Sequence, residues 1–214
     1  MGVAQAYLIE GDGGLVLVDA GLPHQEKVIL RHVHALGRSD LQLIFITHAH
    51  LDHYGSAAAL RQLTGARVAI HRADGGWMAK GETRLGLVRG WGKLMQTFLP
   101  LVELALRPKP VEADLLLEDG EDLSEYGFDA KVFHTPGHTL GSSCLIVEGR
   151  IGFVGDLLST NGKPHSQRFF AEDWTLLNQS LIRLGELNLE RMYPGHGRGT
   201  FNGRAFQQLI SNDH

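Results

Sequence analysis

The sequence predicts an α/β (α+β) fold, and three observations carry that reading. Short apolar runs of strand length recur along the chain and stop at histidine, aspartate, glycine or proline, as Leu41-Gln42-Leu43-Ile44-Phe45-Ile46 does before Thr47-His48. Two stretches, Pro23 to Leu36 and Tyr54 to Leu63, space apolar residues as helices do, with Pro23 near one start and Gly37 and Gly65 at the stops. The first two runs, Val3 to Ile9 and Leu15 to Asp19, flank Glu10-Gly11-Asp12-Gly13-Gly14, whose Asp-Gly and Gly-Gly pairs signal a hairpin.

The remaining elements follow the same logic. Ala66 to His71 reads as a strand. From Trp77 to Pro110 the pattern changes: Leu94, Met95, Phe98, Leu99, Val102, Ala105 and Leu106 fall at helical spacing, Pro100 interrupts them, and Arg84, Arg89 and Lys93 precede them. The segment is too short and too charged to span a bilayer. A helix against the core, a lid or wall over a site, and a homodimer or membrane-surface contact are the readings open to it. As a lid it places Phe98 and Leu99 against an apolar substrate. Pro108 and Pro110 mark a return to β structure, and Asp129 to His134, Ser143 to Val147, Ile151 to Val154 and Glu190 to Tyr193 read as strands. The 214 residues suit a single domain, 1–214, with a helical insertion around 77–110.

Composition narrows the function classes. A net charge of -4 with no block of Lys or Arg argues against nucleic acid and leaves a small-molecule substrate. The one cysteine, Cys144, sits mid-strand, cannot form an internal disulfide, and reads as a packing residue. Met1-Gly2-Val3-Ala4-Gln5-Ala6 has neither a basic n-region nor an apolar h-region, which places the chain in the cytoplasm.

Chemistry concentrates in Thr47-His48-Ala49-His50-Leu51-Asp52-His53, where three imidazoles and a carboxylate follow directly on a buried strand. In extended chain His48 and His50 point the same way, while in the turn that follows Asp52 and His53 diverge toward a second centre. The second half adds His138 in Thr135-Pro136-Gly137-His138, Asp156 after Gly155, and His196 in Pro194-Gly195-His196-Gly197, each at a strand end beside a residue that tightens the turn. Five histidines and two aspartates suit two four- to five-coordinate metals that share a carboxylate. Asp19, also at a strand tip, reads as a group supporting a ligand. His24, His32 and His34 read as solvated.

The ordered set His48, His50, Asp52, His53, His138, Asp156 and His196, with Asp19 before it, resembles the metallo-β-lactamase fold superfamily of metal-dependent hydrolases. The likeness spans nearly the whole chain and is nearest the glyoxalase II type without its C-terminal domain, since eighteen residues follow His196. It implies a four-layer αβ/βα sandwich of two mixed sheets with helices outside. It also implies a first metal on His48, His50 and His138, a second on Asp52, His53 and His196, and Asp156 as bridge. Zinc is the expected metal, with iron and manganese also suited to N/O donors. The implied reaction is attack on a carbonyl ester, thioester or lactone by a hydroxide between the metals, oriented by Asp52. Asn161-Gly162-Lys163 resembles a lysine loop that holds a glutathione carboxylate in such thioesterases, which makes Lys163 and Arg168 candidate anion contacts. The alternatives are a mononuclear-iron persulfide dioxygenase, a phosphodiesterase or nuclease, and a metal-binding module without catalysis.

Overall fold

The Asp12-Gly13 turn closes β1 (Tyr7–Gly11) onto antiparallel β2 (Gly14–Val18), with Gly14 at a φ of 126° that a side chain would strain. The computed structural model describes residues 4–90, 92–93, 97, 101, 105–161 and 163–212. β2 pairs in parallel with β3 (Leu41–Ile46), β3 with β4 (Arg67–His71), and β4 with β6 (Leu115–Leu117), which gives a five-stranded mixed sheet ordered β1-β2-β3-β4-β6. Parallel neighbours need crossovers, supplied by α1 (Glu26–Ala35), the short α2 (Leu51–Tyr54), α3 (Ala57–Thr64) and α4 (Arg72–Lys80).

A second sheet, ordered β13-β12-β9-β8-β7, is built from β7 (Ala130–His134), β8 (Ser143–Val147), β9 (Ile151–Asn161), β12 (Arg191–Arg198) and β13 (Phe201–Asn202), with β10 (Pro164–Ser166) added on β9. Helices α5 (Trp174–Gly185) and α6 (Gly203–Asn212) accompany it. A separate ribbon joins β5 (Leu87–Val88) to β11 (Phe170–Ala171).

Three apolar clusters glue the layers. Leu15, Leu17, Ile44 and Ile46 pack outward on Ile29 and Val33 of α1 and Leu60 of α3. The alternate residues Val16, Val18, Leu43 and Phe45 pack inward against Val132, Leu145 and Phe153 of the other sheet. Cys144, Ile146 and Val154 face Leu177, Leu181, Leu184 and Phe206 of α5 and α6. Period-two burial on both sheets therefore yields helix, sheet, sheet, helix: the four-layer sandwich of the metallo-β-lactamase type.

Several element boundaries depart from the sequence reading. The helix expected from Tyr54 to Leu63 is two, because Gly55 lies against Pro23, where a side chain has no room, and the Ser56 hydroxyl bonds Leu22 O at 2.6 Å and Gln25 N at 2.8 Å. β9 does not stop at Asp156 but runs on to Asn161, because β10 and β12 both pair with that extension. β12 likewise runs through His196, with register shifts at Tyr193/Pro194 and Pro194/His196, where proline has no N–H to give the ladder. Within 77–110, α4 starts early, at Arg72, and the return strand comes late, at Leu115. Leu87–Val88 is strand, and Gly92, Lys93, Thr97, Leu101 and Ala105 are helical. Leu94, Met95, Phe98 and Leu99 lie outside the described residues. No described helix is long and apolar enough to cross a membrane.

Candidate metal centre

The C-terminal end of β3 delivers the histidine-rich loop, and a carboxylate secures its first residue. Asp19, directly after β2 and at a φ of 58°, accepts from Thr47 N at 2.8 Å and from the Thr47 hydroxyl at 3.0 Å. His50 is extended (φ -98°, ψ 146°) and starts α2, but Thr47 to Ala49 form a bend, with His50 N bonded to His48 O at 3.0 Å, so the first two histidines leave this bend rather than a straight strand while Asp52 and His53 leave a helical turn. The second sheet approaches the same end: Ser143 N bonds Thr47 O at 2.9 Å, and Gly155, at a φ of 48°, packs on the Thr47 side chain. That contact brings the turn after β7, with His138, and β9, with Asp156, onto the loop. His196 arrives on β12, which Tyr7 braces by donating from its hydroxyl to Pro194 O at 2.7 Å.

All seven side chains converge. The rings of His48, His50 and His138 stand edge to face at centroid separations of 4.5, 4.6 and 4.7 Å. His50 Nδ1 lies 3.1 Å from His138 Nε2, and His53 Nε2 lies 3.4 Å from His196 Nε2. Asp156 sits between the groups, with Oδ2 3.4 Å from His138 Nε2 and 3.2 Å from His196 Nε2, and Oδ1 3.3 Å from His53 Nε2. Asp52 Oδ2 is 3.3 Å from His196 Nε2. Donor atoms lie within 4.8 Å of one another in the groupings His48-His50-His138, His48-His53-Asp156 and Asp52-His53-His196.

The outer hydrogen bonds decide which nitrogen each ring turns inward. His50 donates from Nε2 to Arg84 O at 2.8 Å, and His138 from Nδ1 to Phe170 O at 2.8 Å. His53 Nδ1 faces Asp19 Oδ2 at 2.7 Å. The Thr47 hydroxyl gives its proton to Asp19, so at 3.0 Å it accepts from His48 Nδ1. What remains inward is His48 Nε2, His50 Nδ1 and His138 Nε2, all lone pairs, while His53 Nε2 faces Asp156 and His196. The His50 Nδ1 and His138 Nε2 lone pairs, 3.1 Å apart, repel one another unless a cation lies between them. His48 Nε2 and Asp156 Oδ1 are also buried without a hydrogen-bond partner, a condition that costs about 1–3 kcal/mol each when nothing binds there. The donor set fits metal ions.

Electrostatics divide the cluster. Burial, and then His53, His50 and His138 alongside, hold His48 well below the ordinary imidazole range; burial, and then His50, bring His138 down to about 4. Asp156 raises His196 to about 9. His53 is desolvated, yet Asp19, Asp156 and Asp52 together lift it well above the ordinary range. Asp156 in turn is held well below the carboxylate range by His196 and His53 in spite of its burial.

The other expected residues lie apart from this cluster. Lys163, in the turn between β9 and β10, and Arg168, ahead of β11, are exposed, and neither forms an ion pair among the described residues. Cys144 is buried in the helix-facing core. His24, His32 and His34 are exposed. Sequence reasoning missed the carbonyls of Arg84 and Phe170, because backbone oxygens leave no trace in residue type. It also missed Asp74, whose carboxylate accepts from Ala49 N in the histidine loop.

Fold and donor set define a metalloprotein of the αβ/βα sandwich class. The chain matches the metallo-beta-lactamase superfamily model over residues 2–196 and belongs to that superfamily. It is similar to a probable metallo-hydrolase of Methanocaldococcus jannaschii (26% identity, covering 91% of this chain and 87% of that one). It also resembles the hydroxyacylglutathione hydrolase of Maricaulis maris (31% identity), covering 87% of this chain but 60% of that enzyme's length. A third relative is an acyl-coenzyme A thioesterase of Bos taurus (28% identity; 98% of this chain, 78% of that one). Among solved structures, TTHA1623 in a di-iron-bound form superposes with a TM-score of 0.74 at 29% identity, covering 96% of this chain and 93% of that one.

Proposed function

We propose that this chain is a dinuclear metal-dependent hydrolase of a carbonyl ester, thioester or lactone, and that an anionic thioester is its substrate. The observation that carries the reading is the position of Asp156, within 3.4 Å of His138 on one side and of His53 and His196 on the other. His48, His50 and His138 would hold one divalent cation, Asp52, His53 and His196 the second, and Asp156 both. Zinc suits these donors, and so do iron and manganese. Divalent cations held there supply Lewis acidity and lower the pKa of water from about 15.7 to roughly 7. The chain's own part is positional. Asp19 holds the His53 ring, the Arg84 and Phe170 carbonyls hold His50 and His138, and Asp52, with its side chain 18% exposed, is the carboxylate placed to take a proton from an attacking water.

Thioester substrates are supported by two of the relatives, a hydroxyacylglutathione hydrolase and an acyl-coenzyme A thioesterase. An anionic substrate is supported by Arg84, Arg89, Lys163 and Arg168, all exposed on or beside β5, β10 and β11 in a chain whose net charge is -4. Phe98 and Leu99 are proposed as an apolar wall for the acyl group. The test is metal analysis followed by a panel of glutathione and coenzyme A thioesters, acyl-homoserine lactones, nitrocefin and an activated phosphodiester. Two ions per chain, with thioester turnover lost to a chelator and restored by zinc or manganese, is the expected result. Two bound ions without thioester turnover overturn the substrate assignment. One iron per chain with oxygen uptake on a persulfide overturns hydrolysis itself.

A further inference from the structure

Asp74, in the first turn of α4, is 1% exposed and forms no ion pair among the described residues. A carboxylate buried without a cation is costly unless several donors converge on it. Three do: Ala49 N at 2.8 Å and the Thr139 hydroxyl at 2.7 Å on Oδ2, and Gly141 N at 2.8 Å on Oδ1. Ala49 lies between His48 and His50, and Thr139 directly follows His138. Among the described residues the carboxylate forms no hydrogen bond to any of the three rings, yet it fastens the peptides that carry them across the gap between the two sheets. Gly141 completes the fit, because a Cβ there would stand 2.5 Å from Asp74 Oδ1. The Thr139 hydroxyl also lies 2.8 Å from Ser142 Oγ, which accepts from Thr139 N at 3.0 Å, so the His138 turn is closed around the same carboxylate.

We propose that Asp74 is a positioning residue that sets the spacing of the His48–His50 loop against the His138 turn, and so tunes the affinity of the all-histidine metal position without affecting the other. The inference rests on the reading of His48, His50 and His138 as ligands. Its geometric basis is that His50 Nδ1 and His138 Nε2, only 3.1 Å apart, come from different sheets, and each loop carrying them bonds the same carboxylate.

The experiment measures zinc affinity by competition with a chromophoric chelator, and visible spectra of the cobalt-substituted protein, for the unaltered chain and for Asp74→Asn. His138→Ala and His196→Ala serve as references that identify each position. Asn keeps the volume but presents an N–H to one of the three donors. The expected result is an all-histidine position weaker by about 10–100-fold, an unchanged second position, a shifted cobalt spectrum, and a metal-free protein that still folds with its unfolding midpoint lowered by one lost buried hydrogen bond. No change at the all-histidine position, or equal losses at both, overturns the proposal. If Asp74→Asn does not fold, Thr139→Ala, which removes one of the three bonds, is read by the same criteria. An unaltered chain that binds no metal overturns the ligand reading instead.

Discussion

The two candidate metal positions differ in how they are enclosed. His48, His50 and His138 are buried, and each has its outer nitrogen engaged, His50 and His138 by carbonyls from another part of the chain and His48 by the hydroxyl of the preceding Thr47. Asp52 and His196 have side chains 18% and 27% exposed, and only His53 in that group is sealed. With Asp156 common to both, a cation among three imidazoles is held more by rigid, preset geometry; one that also has Asp52 beside it is held more by charge and sits nearer water. Under the proposed dinuclear reading the buried position would suit a permanent ion and the open one an ion that exchanges and meets the substrate.

The largest expected effect comes from removing what the two positions share. Asp156→Ala should lose both ions and abolish turnover, measured by metal analysis and initial rates; retention of either ion at full affinity would break the pairing. Stepwise chelation of the unaltered protein should empty the open position first, with activity falling in step with the first ion released. Asp19→Asn should weaken the position containing His53 by about 10–100-fold, and the all-histidine position by less, because Asp19 reaches His48 only through the Thr47 hydroxyl. The smallest effect belongs to Cys144→Ala, about 1 kcal/mol of stability with metal content unchanged. Burial pushes the Cys144 thiol up to about 12, so between about pH 8.5, where an unfolded thiol ionises, and 12 the native state keeps a proton that the unfolded state releases. Stability falls as pH rises through that window, and Cys144→Ala should flatten that part of the fall in denaturant titrations at pH 7 and 10.

What was legible in the sequence was what side-chain type encodes. His48, His50, Asp52 and His53 stand out because four ligating side chains in six residues serve little purpose in packing, and the apolar run before them marks a strand. The structure brings them together with His138, Asp156 and His196. Less legible were features set by backbone and by distant partners. Asp74 looks like an ordinary polar residue in the first turn of a helix, and nothing local says that its carboxylate reaches Ala49, Thr139 and Gly141. The β5–β11 ribbon has two residues in each strand, too few for any periodicity, yet Phe170 in it and Arg84 just ahead of it supply the carbonyls that orient two histidines. The continuation of β9 past Asp156 depends on pairing with β10 and β12, a tertiary cause that a local pattern cannot carry.

The bridge between Ala4 and His196, with Gln5 N bonded to Gly195 O at 2.7 Å, places the earliest and latest parts of the site side by side. On the ribosome they are separated by the synthesis of roughly 190 residues. The growing chain displays His48, His50, Asp52 and His53 early, while His138, Asp156 and His196 are still to be made, an interval on the order of ten seconds at ordinary elongation rates. Throughout that interval the loop is an incomplete chelator above a half-covered sheet, open to whatever divalent ion is abundant. Pairing of the late strand β12 with the N-terminal segment ends the exposure, which on the proposed reading would give a metal present during translation the first claim on the site.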